Sequence, residues 1–240
     1  MALSNRQQAA SKFRDSIAKS NELHCVYLDD AGLLESYDRF TRWQVDYMLS
    51  FFDDLVAANG YTNAVDFIVS DLAGVGISER DREIERAAGV IVATLPVHPL
   101  QTAAAAVELN ADSLEINLAI WRALCVDGEL PAEITEKAYV AACRSASSYD
   151  ECMDLVHLAG ELGKTLKTLV RIPLIGGLLR TMRAPAHAAG FGSLQEFLET
   201  GFNTFRDIPD IDRFLEQLVG RLDDVFDRIY RKPVADLESC

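Results

Sequence analysis

The chain has 240 residues, 49% of them hydrophobic and 25% charged, with a formal net charge of -14 and a pI near 4.7. That length builds one large domain or two small ones with a real core. The acidic balance argues against general nucleic-acid binding, because neutralising phosphates needs a basic face.

The N-terminal stretch Met1 to Ser16 has no apolar core and is not expected to act as a signal peptide. The first helix is expected from Asn5 to Lys19, with only Phe13 and Ile17 as large apolar anchors, so residues 1–20 are expected to dock loosely. Leu23 to Leu28 (LHCVYL) is the only strand-like run and has no partner elsewhere, which makes it a loop or a short helical turn. A long second helix, Ala31 to Ala57, carries a wide aromatic stripe and ends at Asn59-Gly60. Thr62 is expected to cap a short helix from Asn63 to Leu72, and Ser78 with Asp81 a fourth from Glu79 to Thr94. The uncharged run Ala87 to Val107 is broken by Pro96 and Pro99, so it reads as two buried helix ends meeting at an elbow and not as a membrane span.

The fifth helix is expected from Leu100 to Cys125, followed by a turn at Asp127-Gly128. The sixth runs from Ile134 to Ser145 and the seventh from Tyr149 to Val170. A short eighth helix, Leu174 to Met182, stops at Pro185; Ser193 with Glu196 forms a capping box for a ninth that covers LQEFLETGFNTF. Asp210 caps the last helix, whose pattern Ile211, Phe214, Leu215, Leu218, Val219, Leu222 is the clearest in the chain. Residues 233–240 are expected to form a flexible tail. The fold class is all-α: one domain, 1–240, of about nine or ten helices. Phe51, Phe52, Trp121, Phe197, Phe202, Phe214, Leu218 and Leu222 are the expected core.

Phe67 to Asp81 reads FIVSDLAGVGISERD, followed by ELNADS at Glu108 to Ser113, ITEKAYVAACR at Ile134 to Arg144, RIPLIGGLL, and MRAPAHAAGFGSLQEFLETGF. These strings resemble a bacterial family of uncharacterised proteins labelled by its FFLEELY motif, over about Tyr47 to Arg221. The name-giving motif is degenerate here: Ile68, Val69, Ala73, Gly76 and Ile77 stand at departures from it. The resemblance implies a helical fold and no chemistry.

The five cysteines, Cys25, Cys125, Cys143, Cys152 and Cys240, are odd in number and lack CxxC spacing, so free thiols in a reducing cytoplasm are expected. His24, His98, His157 and His187 form no metal motif. No metal or cofactor is called for by motif, and no nucleophile elbow or phosphate loop is present. Catalysis is therefore not assigned. Arg80 and Asp81 open a helix as a structural pair or a pocket pair, and Glu108 and Asn110, inside an otherwise apolar helix, need partners that Arg80, Arg82 or Arg86 could supply.

One stretch stands apart. Residues 162–195 hold Lys164, Lys167, Arg171, Arg180 and Arg183 with no Asp or Glu, so the rest of the chain carries -19 instead of -14. The readings are a solvated face, an anion site at Arg171, Arg180, Arg183 and His187, or an interfacial helix with Leu174, Ile175, Leu178, Leu179 and Met182 facing lipid. The expected function is binding of an anionic or amphipathic small molecule or lipid, with at least two of the three arginines in one concavity. The alternatives are a protein-interaction or assembly module, with homo-oligomers allowed, and an enzyme without a recognisable motif.

Overall fold

The computed structural model describes residues 4–59, 61–68 and 77–233. Ser4 and Gln7 make a reciprocal capping box that starts α1 (Asn5–Leu28). The helix does not stop at Lys19. Phe13, Ile17, Ser20, His24 and Tyr27 keep 4-3-4-3 spacing on one buried side, so the strand-like run is its last turns. α1 lies along α6 (Val97–Leu124), with Ala9, Ala10 and Ala104 buried at their contact. Small side chains let the two backbones approach, and Phe13 is 1% exposed. Arg6 donates to the carbonyls of Leu95 (2.8 Å) and Val92 (2.6 Å), tying this end of α1 to the chain just before α6.

Asp30 caps α2 (Ala31–Leu49). The expected second helix is two, with α3 (Asp53–Asn59) following a turn at Ser50–Phe52. Phe51 and Phe52 bond three residues back, to Met48 and Leu49. The break is held from outside: Arg221 donates to the Phe51 carbonyl (2.6 Å) and grips Asp54. α4 (Thr62–Phe67) begins with Tyr61 at the cap position and no side-chain cap bond, so Thr62 is helix and not cap. The expected continuation to Leu72, and the side chain of Ser78, lie outside the described residues.

α5 (Ile77–Thr94) and α6 meet at the proline elbow. An isolated bridge between Val126 and Glu129 closes the turn at Asp127-Gly128, where both residues have positive φ, 53° and 85°. Thr135 caps α7 (Glu136–Ala146), and Ser148 with Glu151 makes a capping box for α8 (Tyr149–Val170). α9 (Pro173–Ala188) runs past Pro185, which sits exposed in its last turn. α10 (Gly192–Asp207) has Phe191 at its cap with no side-chain bond, so the Ser193–Glu196 box does not form. Asp210 caps α11 (Ile211–Arg231) as its sequence implies.

Among the described residues these eleven helices form one all-α domain around three apolar clusters. The first joins the end of α1, α2, the second half of α6, α7 and the end of α11 around Phe40, Leu118, Trp121 and Ile229. The second joins α3, α4, the end of α8, α10 and the start of α11 around Phe52, Phe67, Phe205 and Phe214. The third joins α1, α5 and the start of α6. Phe52, Trp121 and Phe214 are buried as expected, whereas Phe51, Phe197, Phe202, Leu218 and Leu222 are half-buried at cluster edges. Gly201 lets α10 meet α4: a Cβ there would lie 2.8 Å from the Phe67 ring. Among the described residues no helix is long and apolar enough to cross a membrane.

Candidate functional site

Two charged regions answer the sequence expectations in opposite ways. The first is buried. Asp81, in the first turns of α5, accepts from Ser20 Oγ at 2.9 Å and from Asn110 Nδ2 at 2.9 Å, and pairs with His24 Nε2 at 2.9 Å, all through Oδ2. Arg80 reaches its other oxygen at 3.2–3.3 Å and Asn110 Oδ1 at 3.2 Å. The Arg80 guanidinium also lies 4.6 Å over the Phe197 ring of α10. The other nitrogen of His24 meets the Tyr27 hydroxyl, and Tyr27 stacks on Tyr37 at 4.3 Å.

Ser20, His24, Tyr27, Arg80 and Asp81 are all under 9% exposed, so these charges sit in a region where an unmatched polar group is costly. Burial pushes the Asp81 carboxyl upward, but the His24 bond and the Arg80 charge outweigh it, and the net pKa is below the ordinary value. Arg80, Asp81 and Asn110 therefore come together as a structural network. Glu108 does not join them: it pairs with Lys12 of α1 at 2.5 Å. Ser20 and His24 are partners of Asp81 that the chain pattern does not connect to it, although their place in the α1 stripe signals that they point inward.

Beside this network the start of α10 is capped across the fold. The buried Glu83 carboxylate of α5 accepts from the Leu194 backbone N–H at 2.7 Å, and Arg86 donates to the Gly190 carbonyl at 3.0 Å. A carboxylate at a helix N-terminus satisfies free donors and favours the dipole.

The second region is α9 and its root. It is exposed. Leu174, Leu178 and Met182 recur every fourth residue along one side of α9 and are 79%, 57% and 45% exposed. The opposite side packs on α10, where Gly176 admits the Phe202 ring, 2.9 Å from where a Cβ would stand. Arg183 pairs with Glu199 of α10, and Gln195 donates to both Glu199 and the Leu179 carbonyl. Arg180 turns back on its own helix, donating to the Gly176 carbonyl at 3.2 Å. His187 folds over Gly192, with Nε2 3.8 Å from Glu196.

Arg171, the residue after α8, lines a recess of about 320 Å³ with Lys167, Val170, Arg206 and the Ile208–Asp212 turn. Arg180 and Arg183 do not line it, so the arginines do not converge as expected. The reason is helical rise: nine and twelve residues beyond Arg171 are roughly 14 and 18 Å along the chain at about 1.5 Å each.

Thiol chemistry is disfavoured in the buried cysteines. Burial pushes the Cys143 thiol up to about 12 and Cys152 upward as well, so neither is a thiolate near neutral pH. Among the described residues no group of three or more His, Cys, Asp or Glu side chains is placed to hold a metal ion.

The chain belongs to the family described as domain of unknown function DUF8198, which matches residues 26–235. Neither the curated proteins nor the solved structures offer a match.

Proposed function

We propose that this protein binds an amphipathic anion, with an acidic head and an aliphatic tail, along the exposed side of α9. The observation that carries the reading is the row Leu174, Leu178 and Met182, open to solvent in the one long stretch of an acidic chain that holds five cations and no acid. The row is about 12 Å long at the rise of an α-helix. Arg171 lies three residues before Leu174, hence within about 11 Å of the start of the row.

Magnitudes favour a ligand with both parts. Covering a Leu or Met side chain fully is worth about 1.5–3 kcal/mol, and these three are already partly covered. Association costs at least about 4 kcal/mol in lost freedom. A tail alone is therefore marginal, and a charged hydrogen bond of about 1.5–3 kcal/mol at an arginine makes the difference. A lipid with the same head and tail satisfies the same chemistry, which agrees with the resemblance to the FFLEELY family only in that neither assigns catalysis.

The test is calorimetric titration of the full chain with dodecyl phosphate below its micelle concentration. Saturable binding that is lost in the Leu174→Ser/Leu178→Ser variant is the expected result. Absence of saturable binding, or binding indifferent to that variant, rejects the reading. A second reading, an assembly module, draws on the exposure of the same row, which no described residue covers. It requires instead that the same double variant abolish a concentration-dependent change in sedimentation.

A further inference from the structure

The recess at the root of α9 is built differently from the rest of the basic stretch. Its floor is apolar: Val170, Ile208 and Ile211 are 7%, 8% and 7% exposed. Its rim carries three cations from three places in the chain, Lys167 of α8, Arg171 after it, and Arg206 of α10. Two carboxylates also line it, and each is already engaged. Asp210 accepts from the Arg213 backbone N–H at 3.1 Å, and Asp212 is bound by Lys167. Arg206 is half-committed: its Nε and Nη2 face Asp207 at 2.9 and 3.3 Å.

Arg171 is the exception. Its side chain makes no hydrogen bond and no ion pair with any described residue, although its charge reaches Asp212. A guanidinium that borders an apolar floor and keeps its planar fork of donors unspent suits a planar or tetrahedral oxyanion. Lys167 and Arg206 add positive potential from the sides. The recess lies at the start of α11, a helix of 21 residues whose N-terminal dipole adds positive potential there.

We infer that this recess is an oxyanion site, taking a phosphate or carboxylate group with Arg171 as its principal donor and Lys167 and Arg206 as flanking charges. The inference rests on the amphipathic-anion reading and supplies the position of its head group. It moves that position away from Arg180 and Arg183, whose guanidinium groups are engaged by the Gly176 carbonyl and by Glu199.

Asp212 sets a ceiling on affinity, since its carboxylate opposes an incoming anion. Lys167 holds that carboxyl below its usual pKa, with Arg171 and Lys164 adding to the effect, so it stays charged at neutral pH. Asp212→Asn therefore strengthens the site.

The experiment titrates inorganic phosphate into the isotopically labelled full chain and follows backbone amide signals. Saturable shifts are expected at Arg171 and at Ile211–Asp212. Arg171→Ala weakens the affinity about tenfold or more, in line with loss of a charged hydrogen bond. Asp212→Asn tightens it, and Arg122→Ala, an exposed arginine of α6, leaves it unchanged. Arg171 is itself exposed, so the variant is expected to keep the fold, and its helical dichroism checks that. Phosphate that saturates equally in Arg171→Ala, or shifts that scatter over many surface cations, overturns the site. So does phosphate that causes no saturable shift. Inorganic phosphate has no tail. If it fails while dodecyl phosphate still binds through Leu174 and Leu178, the head-group site is wrong and the α9 reading stands.

Discussion

The Asp81 network and the α9 ridge both concentrate charge, and the fold treats them in opposite ways. Around Asp81 every charge is withdrawn from water and matched: one carboxylate oxygen serves Ser20, His24 and Asn110, and the other serves Arg80. Along α9 the cations stay in solvent and large apolar side chains stand out beside them. A buried network is costly to break, because removing one member leaves the others unpaired in a poor solvent. An exposed ridge costs little to change. Position in the fold, not the number of charges, separates a part that holds the protein together from a part free to bind.

The largest effect that sharpens this contrast is expected from Asp81→Ala. It strips three elements of their shared acceptor and should cost about 3–5 kcal/mol in urea unfolding. A loss below about 1 kcal/mol would show that water already reaches the network. Phe214→Ala gives the apolar yardstick. This ring is fully buried and packs edge-on against Tyr61 at 4.9 Å, so its truncation should cost about 3–5 kcal/mol in the same measurement. If the two losses differ widely, the polar and apolar cores are not equivalent supports.

Asn110→Ala removes one donor from Asp81 and one acceptor from Arg80, and should cost about 1–3 kcal/mol. The acid dependence follows from Asp81 itself. Its pKa is depressed in the folded state, so its contribution is present above the ordinary carboxylate value of 3.8 and is lost as pH falls through the lower folded value. Below pH 4 the wild type should lose stability along a slope that Asp81→Asn lacks; parallel slopes would rule out this coupling. The smallest effect belongs to α9. Leu174→Ser with Leu178→Ser should change stability by no more than about 0.5 kcal/mol per site, while removing the proposed binding face. A larger loss would mean that the row packs on something in the free protein.

Much of the helical layout was legible in the sequence. α8 runs from Tyr149 to Val170 as its pattern implies, and α11 starts at the Asp210 cap. Such features depend on neighbours three or four residues apart, which a single segment carries by itself. Segment 162–195 was likewise marked by its charge alone; of the five apolar side chains expected on its outer face, Leu174, Leu178 and Met182 are exposed, while Ile175 and Leu179 are half-buried.

Partner choice was not legible, because it is made over long loops. The caps expected at Thr62 and Ser193 are absent, and Glu83, 111 residues before Leu194, does the work at α10 instead. The break at Phe51 needs Arg221, 170 residues away. Arg80 and Asp81 were identified as a pair, but their partners on α1 lie about sixty residues earlier, and Glu108 turned to Lys12. Arg171 and Arg183 look alike in sequence. Only the packing of α9 on α10 puts Glu199 beside one, and only the α10–α11 turn builds a recess around the other. Short-range hydrogen bonds and amphipathic period are properties of a segment. Which side chain a buried or exposed charge meets is a property of the whole fold.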